Sequence, residues 1–359
     1  MNLFFGITVA PYGVDFCNAL HEQLDCRMFH IAKPPFEMAF DVEAAERRCR
    51  FPLERYDRRP GLRSFRQLYR LVREERPKLV FVSEFSWMAV RMLLIRRLLR
   101  QPFRIISVCD DSPDMIQGND FSRLHRLARR IVPRLVDDII LANPGAREWY
   151  RARFGKGMFM PIISDEKLQR EALDDALVRA GQLREELLLG DRPVVLYVGR
   201  LIPLKNLENF LEAMRGIAAT AVFVGDGPLR AALEARARSL GVPALFTGMK
   251  EGVDLAAWYD LADVLVLPSR QEAFGAVTGE ALSAGCPVVV SSRAGSSFLV
   301  REGENGSVIE PGDTAAFVAA LHRWTDNLAA PRPLSLRENL LPVSFRHLFD
   351  TLKNDLSNA

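Results

Sequence analysis

Short runs of Val, Ile, Leu and Phe alternate along the chain with longer stretches in which apolar residues return every three or four positions. The short runs, punctuated by Gly, Pro, Asp and Ser, predict strands at Leu3–Val9, Arg27–Ile31, Leu79–Ser83, Arg104–Cys109 and Asp138–Ala142. The same signal recurs at Val194–Val198, Ala221–Val224, Val264–Leu267 and Pro287–Ser291. The longer stretches predict helices at Val14–Gln23, Ser64–Glu75, Trp87–Leu99 and Arg123–Leu135, then at Leu207–Met214, Ala276–Ala284, Thr314–Leu328 and Val343–Leu356. Strands that are apolar without alternation are buried on both faces, and a helix after each one makes the sheet parallel. The expected class is α/β, with two Rossmann-like doubly wound domains facing a cleft. A length of 359 residues has room for two such domains. Their expected bounds are 1–163 and 191–328, with a linker over 164–190 that holds the acidic helical stretch Asp165–Leu189 before Gly190. A last segment, 329–359, begins with the break that Pro331 and Pro333 mark.

Composition then narrows the classes of function. Apolar residues make up 48% and charged residues 26%, the balance of a folded chain rather than a disordered one. Cys17, Cys26, Cys49, Cys109 and Cys286 are odd in number and scattered, a pattern for neither disulfides nor zinc, so a reducing compartment is expected. Met1–Ala10 has no basic flank or cleavage site and reads as a first strand, and no run of about 18 apolar residues spans a membrane. The expectation is a cytoplasmic protein whose membrane contact, if any, is peripheral on the inner face.

Charge is divided unevenly. Lys and Arg outnumber Asp and Glu by 28 to 19 over residues 1–160 and are outnumbered by 20 to 26 over the rest. Trp87–Arg100 and Arg123–Arg134, the latter with Arg126, Arg129 and Arg130, mix apolar with cationic positions. Two readings stand: basic amphipathic helices on an anionic membrane surface, or domain helices with the apolar face packed inside and arginines in water. Nucleic acid is disfavoured, since no aromatic–basic platform occurs, and a dehydrogenase is disfavoured, since no Gly-x-Gly-x-x-Gly follows the first strand.

The second half carries the chemistry. Val194–Val198 ends in Gly199-Arg200, and Lys205-Asn206 follows shortly. Glycine permits close backbone approach, and two cations five residues apart suit a diphosphate. Farther on, Glu272-Ala273-Phe274-Gly275-Ala276 leads into a helix carrying Glu280, roughly 9 Å along the axis from Phe274. Free amides at the helix start favour a phosphate, and flanking carboxylates suit the hydroxyls of two sugars. Taken singly, Glu280 reads as a helix-surface acid and Glu272 as a partner of the helix dipole.

In order and spacing, Pro193–Leu321 resembles the donor-binding half of the retaining GT-B glycosyltransferases of family 4. The resemblance rests on Gly199-Arg200-Leu201 with Lys205-Asn206, Val224-Gly225-Asp226-Gly227-Pro228, Thr247-Gly248, Ala262-Asp263-Val264 running to Pro268-Ser269-Arg270, the Glu272-x7-Glu280 pair, Gly303–Gly306 and Pro311–Asp313. It implies a retaining, metal-independent transfer of sugar from a nucleotide sugar, UDP-sugar preferred, to a glycan or lipid-linked acceptor in cell-surface polysaccharide or glycolipid synthesis. No cofactor and no metal are implied. By the same resemblance Arg200 and Lys205 neutralise the leaving diphosphate and Glu272 touches the transferred sugar. Backbone at Ala273, Phe274, Gly275 and Ala276 holds the distal phosphate and sugar, and Glu280 binds the ribose. Gly199, Gly225, Gly248, Met249 and Lys250 line the nucleotide, and the C-terminal helix returns to the first domain. Ala294–Phe298 departs from the family pattern of paired glycines and a glutamate.

The first half resembles the family less. Ala10–Asp15 has one glycine where relatives have two, and Asp15 reads as a helix cap. Cys109-Asp110 stands where the family often has His-Asp, so no histidine role carries over; Cys109 reads as a small buried hydrophobe. Asp110 or Asp111 either serves the acceptor and the anomeric centre or caps the turn before Pro113, and Glu84 is a further candidate. A nucleotide-sugar epimerase on the same fold and a non-catalytic nucleotide-sugar-binding subunit are the competing readings.

Overall fold

The computed structural model describes residues 1–31, 42–56, 61–118, 122–187, 189–190, 192–326 and 335–358. Leu328, Pro331 and Pro333 lie outside the described residues. The chain divides into two units, residues 1–162 with 346–359, and residues 163–345.

The first unit is a parallel sheet of β1 (Asn2–Gly6), β2 (Cys26–Ile31), β3 (Leu53–Tyr56), β4 (Leu79–Ser83), β5 (Arg104–Cys109), β6 (Asp138–Leu141) and β7 (Met158–Phe159), in the order β3-β2-β1-β4-β5-β6-β7. In register, Phe4 faces Met28 on one side and Phe81 on the other, so the centre of the sheet is apolar throughout. Its helices are α1 (Val14–Leu24), α2 (Val42–Arg47), α3 (Leu62–Glu75), α4 (Trp87–Leu99), α5 (Pro113–Gln117), α6 (Arg123–Leu135) and α7 (Pro144–Phe154). Leu68 and Val72 of α3, Met88, Met92 and Ile95 of α4, Val132 of α6 and Tyr150 of α7 share one core with Leu3, Phe5, Val80, Val82, Ile105 and Ile139.

The second unit repeats the plan with β8 (Val194–Val198), β9 (Thr220–Val224), β10 (Ala244–Gly248), β11 (Val264–Leu267), β12 (Val288–Ser291) and β13 (Gly306–Ile309), ordered β10-β9-β8-β11-β12-β13 and all parallel. α8 (Glu166–Glu186) precedes these strands, α9 (Leu207–Ala213), α10 (Arg230–Leu240), α11 (Gly252–Leu261) and α12 (Val277–Ser283) connect them, and α13 (Thr314–Thr325) follows. Phe223 stacks on Phe246 at 4.5 Å between centroids and touches Phe210 at 5.2 Å, the aromatic centre of its core.

Residues 164–190, expected as a linker, hold α8, which packs along α11 inside the second unit. Leu173, Ala176, Ala180 and Leu183 are its buried positions, and Arg179 Nε donates to Asp254 Oδ1 at 2.9 Å. The described part of the last segment is split: residues 335–345 lie with the second unit, whereas the final helix, α14 (Phe345–Asn358), lies from Arg346 with the first. There Phe349 meets Phe16 of α1 edge-on, and Arg104 of β5 donates to the Leu356 carbonyl.

One buried ion pair fixes α6. Asp111, fully buried after β5, accepts both Nη groups of Arg129 and the Tyr150 hydroxyl at 2.8 Å. Lys156 caps the far end of α6 through the carbonyls of Pro133 and Arg134 at 3.0 and 3.1 Å. Asp111→Ala would strand a buried guanidinium, which costs about 3–5 kcal/mol. The expected result is a matching loss in the urea-unfolding free energy of the first unit; an unchanged midpoint would show that the pair does not hold α6.

Candidate functional site

In the second unit the chain winds outward from β8 through β9 to β10, then restarts on the other side of β8 with β11 and continues to β12 and β13. The loops leaving β8 and β11 therefore part in opposite directions and open a crevice at the carboxyl ends of these strands. Gly199-Arg200 leaves β8 there, and Ser269–Ala276 leaves β11.

The floor of this region is bare backbone. A Cβ on Gly225 would stand 1.9 Å from the Gly199 carbonyl oxygen, and its φ of +146° belongs to glycine. Gly199 N–H donates to Val224 at 2.9 Å and Gly225 N–H to Gly248 at 2.9 Å, so Gly199, Gly225 and Gly248 are stitched side by side at three strand ends. Beyond them Met249 is exposed and Lys250 half-buried. Arg200 is exposed, and its guanidinium makes no hydrogen bond or ion pair among the described residues. Its carbonyl accepts the Tyr197 hydroxyl at 2.9 Å, which sets the turn.

Lys205, in a short 3-10 turn, reaches Glu272 and forms an ion pair with Oε2, the two side chains 14% and 15% exposed. The turn is braced by Asn206 at φ +57°: its Nδ2 donates to Pro268 at 3.2 Å and Pro311 at 2.7 Å, and its Oδ1 accepts from Arg270. Asn206 thus ties the β8 loop to the β11 loop. Its bracing role escaped sequence reasoning, although an Asn is the residue type that tolerates a left-handed backbone. Gly275, at φ +90°, leaves no space for a Cβ, which would lie 2.5 Å from Leu267 Cδ2. Among the described residues the N–H groups of Phe274, Gly275 and Ala276 donate to no protein acceptor. Ala273 precedes them in the same loop. Glu280 sits apart from Glu272 along α12, where its Oε2 accepts the Tyr259 hydroxyl and its carbonyl accepts Gln169 Nε2 at 2.9 Å. Burial and the Glu280 charge raise the Tyr259 phenol well above its ordinary value, so it stays a donor. Nothing local in the sequence pairs Tyr259 with Glu280, since the two lie on different helices.

The first unit has its own reversal point, between β1 and β4. Glu84 stands just past β4 at φ +49°, an uncommon backbone for a glutamate, with its N–H on the Val108 carbonyl at 2.7 Å and its own carbonyl accepting Ser107 Oγ at 2.7 Å. Burial, then the charges of Asp110 and Asp111, push its carboxyl up to about 7. Asp110 is exposed one strand away, its carboxyl raised by the desolvating strand end and by Asp111. Neither aspartate caps α5: Ser112 does, accepting Met115 N–H at 3.2 Å. Nor does Asp15 cap α1, whose N-cap is Gly13; Asp15 is buried in the first turn, 3.9 Å from Arg48. Cys109 is buried and its thiol raised by that burial, which makes it a packing residue. Among the described residues no group of three His, Cys, Asp or Glu side chains is placed to hold a metal.

Residues 192–327 match the family described as Glycosyl transferases group 1. The matched stretch contains Gly199, Arg200, Lys205, Asn206, Glu272, Gly275 and Glu280. Sulfoquinovosyl transferase SQD2 of Arabidopsis thaliana is 36% identical over 149 residues, which is 40% of this chain and 29% of that protein. A GDP-mannose-dependent alpha-(1-6)-phosphatidylinositol monomannoside mannosyltransferase of Mycolicibacterium smegmatis is 34% identical over 236 residues, 62% of this chain and 60% of the relative. The matched stretch thus spans less than two thirds of these relatives' length. Among solved structures, Anabaena Alr3699/HepE in complex with UDP matches with a TM-score of 0.76 at 18% identity, covering 100% of both chains. The fold is that of the GT-B glycosyltransferase structures.

Because Glu84 holds its proton more tightly folded, near 7, than at its ordinary value of 4.5, its stabilisation is full below pH 4.5 and is lost as pH rises through 7. Urea unfolding of the first unit between pH 5 and pH 8 is expected to show this decline, and Glu84→Gln to flatten it. Parallel curves for the two proteins would place the titration elsewhere.

Proposed function

We propose that this protein is a glycosyltransferase that takes its donor, a nucleotide sugar, at the carboxyl ends of β8 and β11. One observation carries the reading. Exposed Arg200, the Lys205–Glu272 pair and the undonated amides of Phe274–Ala276 surround the same crevice, on a backbone floor that glycines keep clear. Cations and free N–H groups suit a diphosphate; carboxylates beside them suit sugar hydroxyls, which donate where a phosphate cannot. UDP is the preferred nucleotide, in keeping with the UDP held by HepE.

The chemistry follows from charge. As the glycosidic bond breaks, negative charge grows on the diphosphate, where Arg200 and one of the remaining Lys205 protons receive it. Glu272, already engaged by Lys205, acts as an oriented hydroxyl acceptor instead of an attacking nucleophile. That favours front-face transfer with retention, in which the departing diphosphate takes the acceptor's proton. Glu280, held by Tyr259, faces the ribose end. Asp110 and Glu84 are the acidic groups offered by the first unit for an acceptor, which we take to be a glycan or lipid-linked glycan of the cell surface, met in the cytoplasm or on the inner membrane face. No metal takes part in this scheme.

A panel of nucleotide sugars scored by thermal shift and nucleoside diphosphate release tests the proposal. Glu272→Gln is expected to lower transfer at least a hundredfold while UDP affinity changes within about threefold, and Arg200→Ala to weaken UDP about tenfold, as expected for one charge-assisted contact. EDTA leaves the rate unchanged. Full activity in Glu272→Gln would reject the site, and conversion of the donor to its epimer without release of nucleoside diphosphate would favour an epimerase.

A further inference from the structure

We infer that the outward face of α4 and α6 is a docking surface for an anionic lipid bilayer. This face deepens the reading above, resting on it only for the idea of a lipid-linked acceptor; the surface itself is argued from its own residues. Trp87, Leu94 and Leu98 form one stripe along α4, and Leu124, Leu127, Ile131 and Leu135 form another along α6. Each of these seven side chains is between 46% and 61% exposed. A helix of an ordinary domain turns such a stripe inward. α6 does the reverse: its buried residues are Val132 and Pro133, and its inward cation is Arg129, spent on Asp111. The two helices pack together, and Arg96 of α4 donates to the Leu135 carbonyl at 3.3 Å, so the stripes are neighbours.

The rim is cationic. Arg97, Arg123 and Arg130 are exposed beside the stripes, and α3, packed against α4, adds an exposed row of Arg63, Arg66, Arg70 and Arg73. Neither α4 nor α6 contains an acidic residue. That charge selects the occupant. A second copy of the chain, placed face to face, would bring the arginine rims together, and a nucleic acid would leave the leucines in water. A bilayer with anionic headgroups neutralises the arginines while Trp87 and the leucines enter the boundary between headgroups and acyl chains. No helix among the described residues is long and apolar enough to cross a membrane, so the contact is superficial.

The full chain is expected to sediment with phosphatidylglycerol-containing vesicles and not with pure phosphatidylcholine, and added salt should weaken binding without abolishing it. Leu127→Glu with Ile131→Glu should reduce partitioning at least tenfold. Arg123→Gln with Arg130→Gln should reduce it about 25-fold, roughly fivefold for each arginine near the surface. Thermal midpoints and donor hydrolysis should stay as in the parent; if the glutamate pair unfolds the chain, Leu94→Gln with Leu98→Gln reads the same surface from α4. Absence of vesicle binding, unchanged binding in these variants, or a dimer dissolved by the glutamate pair would overturn the inference. Vesicle binding without donor hydrolysis would reject the proposed enzyme and leave this surface standing, and the opposite result would do the reverse.

Discussion

A strand covered by helices on both faces meets water only at its ends, and that constraint places the loops that carry Arg200, Lys205 and Glu272. β8 and β11 are buried along nearly their whole length, and the chemistry begins at the residue where each strand stops. What can gather there depends on how closely the loops approach. Gly225 lies against the Gly199 carbonyl without any side chain between them, so three strand ends close into a flat backbone floor. Any larger residue would lift the β9 loop away from β8 and part the crevice wall from its cations.

Two ion pairs in the molecule show how exposure separates structure from function. Asp111 and Arg129 are joined through both carboxylate oxygens, with a tyrosine hydroxyl added, and Asp111 is sealed from water. Breaking such a pair leaves a naked buried charge, so it serves as an anchor. Lys205 and Glu272 are joined through one oxygen and remain partly open to solvent. Each retains capacity for another partner, and a phosphate and a hydroxyl arriving together can divide the pair without stranding either charge.

The same accounting bears on the basic half of the chain. Its arginines are not one population. Arg27 is shared between Glu54 and Glu75, Arg50 is held by Glu22, Arg96 by Asp137 and Arg129 by Asp111, whereas α3 and the rim of α4 and α6 keep theirs in water. Part of the excess charge therefore stands in water on α3, α4 and α6, beside apolar side chains that the core does not use.

From the sequence alone, the class of fold, the central strands, the loops bearing Arg200, Lys205, Glu272 and Gly275, and the helix carrying Glu280 were legible, because fully buried strands write an unbroken apolar run and loop chemistry is local. β3, β7, β10 and β13 were missed, and all four are sheet edges: β3, β10 and β13 mix apolar with polar or glycine residues, and β7 is only two residues long. The reading of 164–190 as a linker followed from its place between the two series of strands; only packing against α11 makes it a helix of the second unit. Likewise the pairing of Lys205 with Glu272, of Glu280 with Tyr259 and of Arg129 with Asp111, and the outward turn of the α6 stripe, were decided by tertiary structure. Periodicity reports which residues share a face of a helix, but which face meets the core is set by contacts between residues distant in sequence.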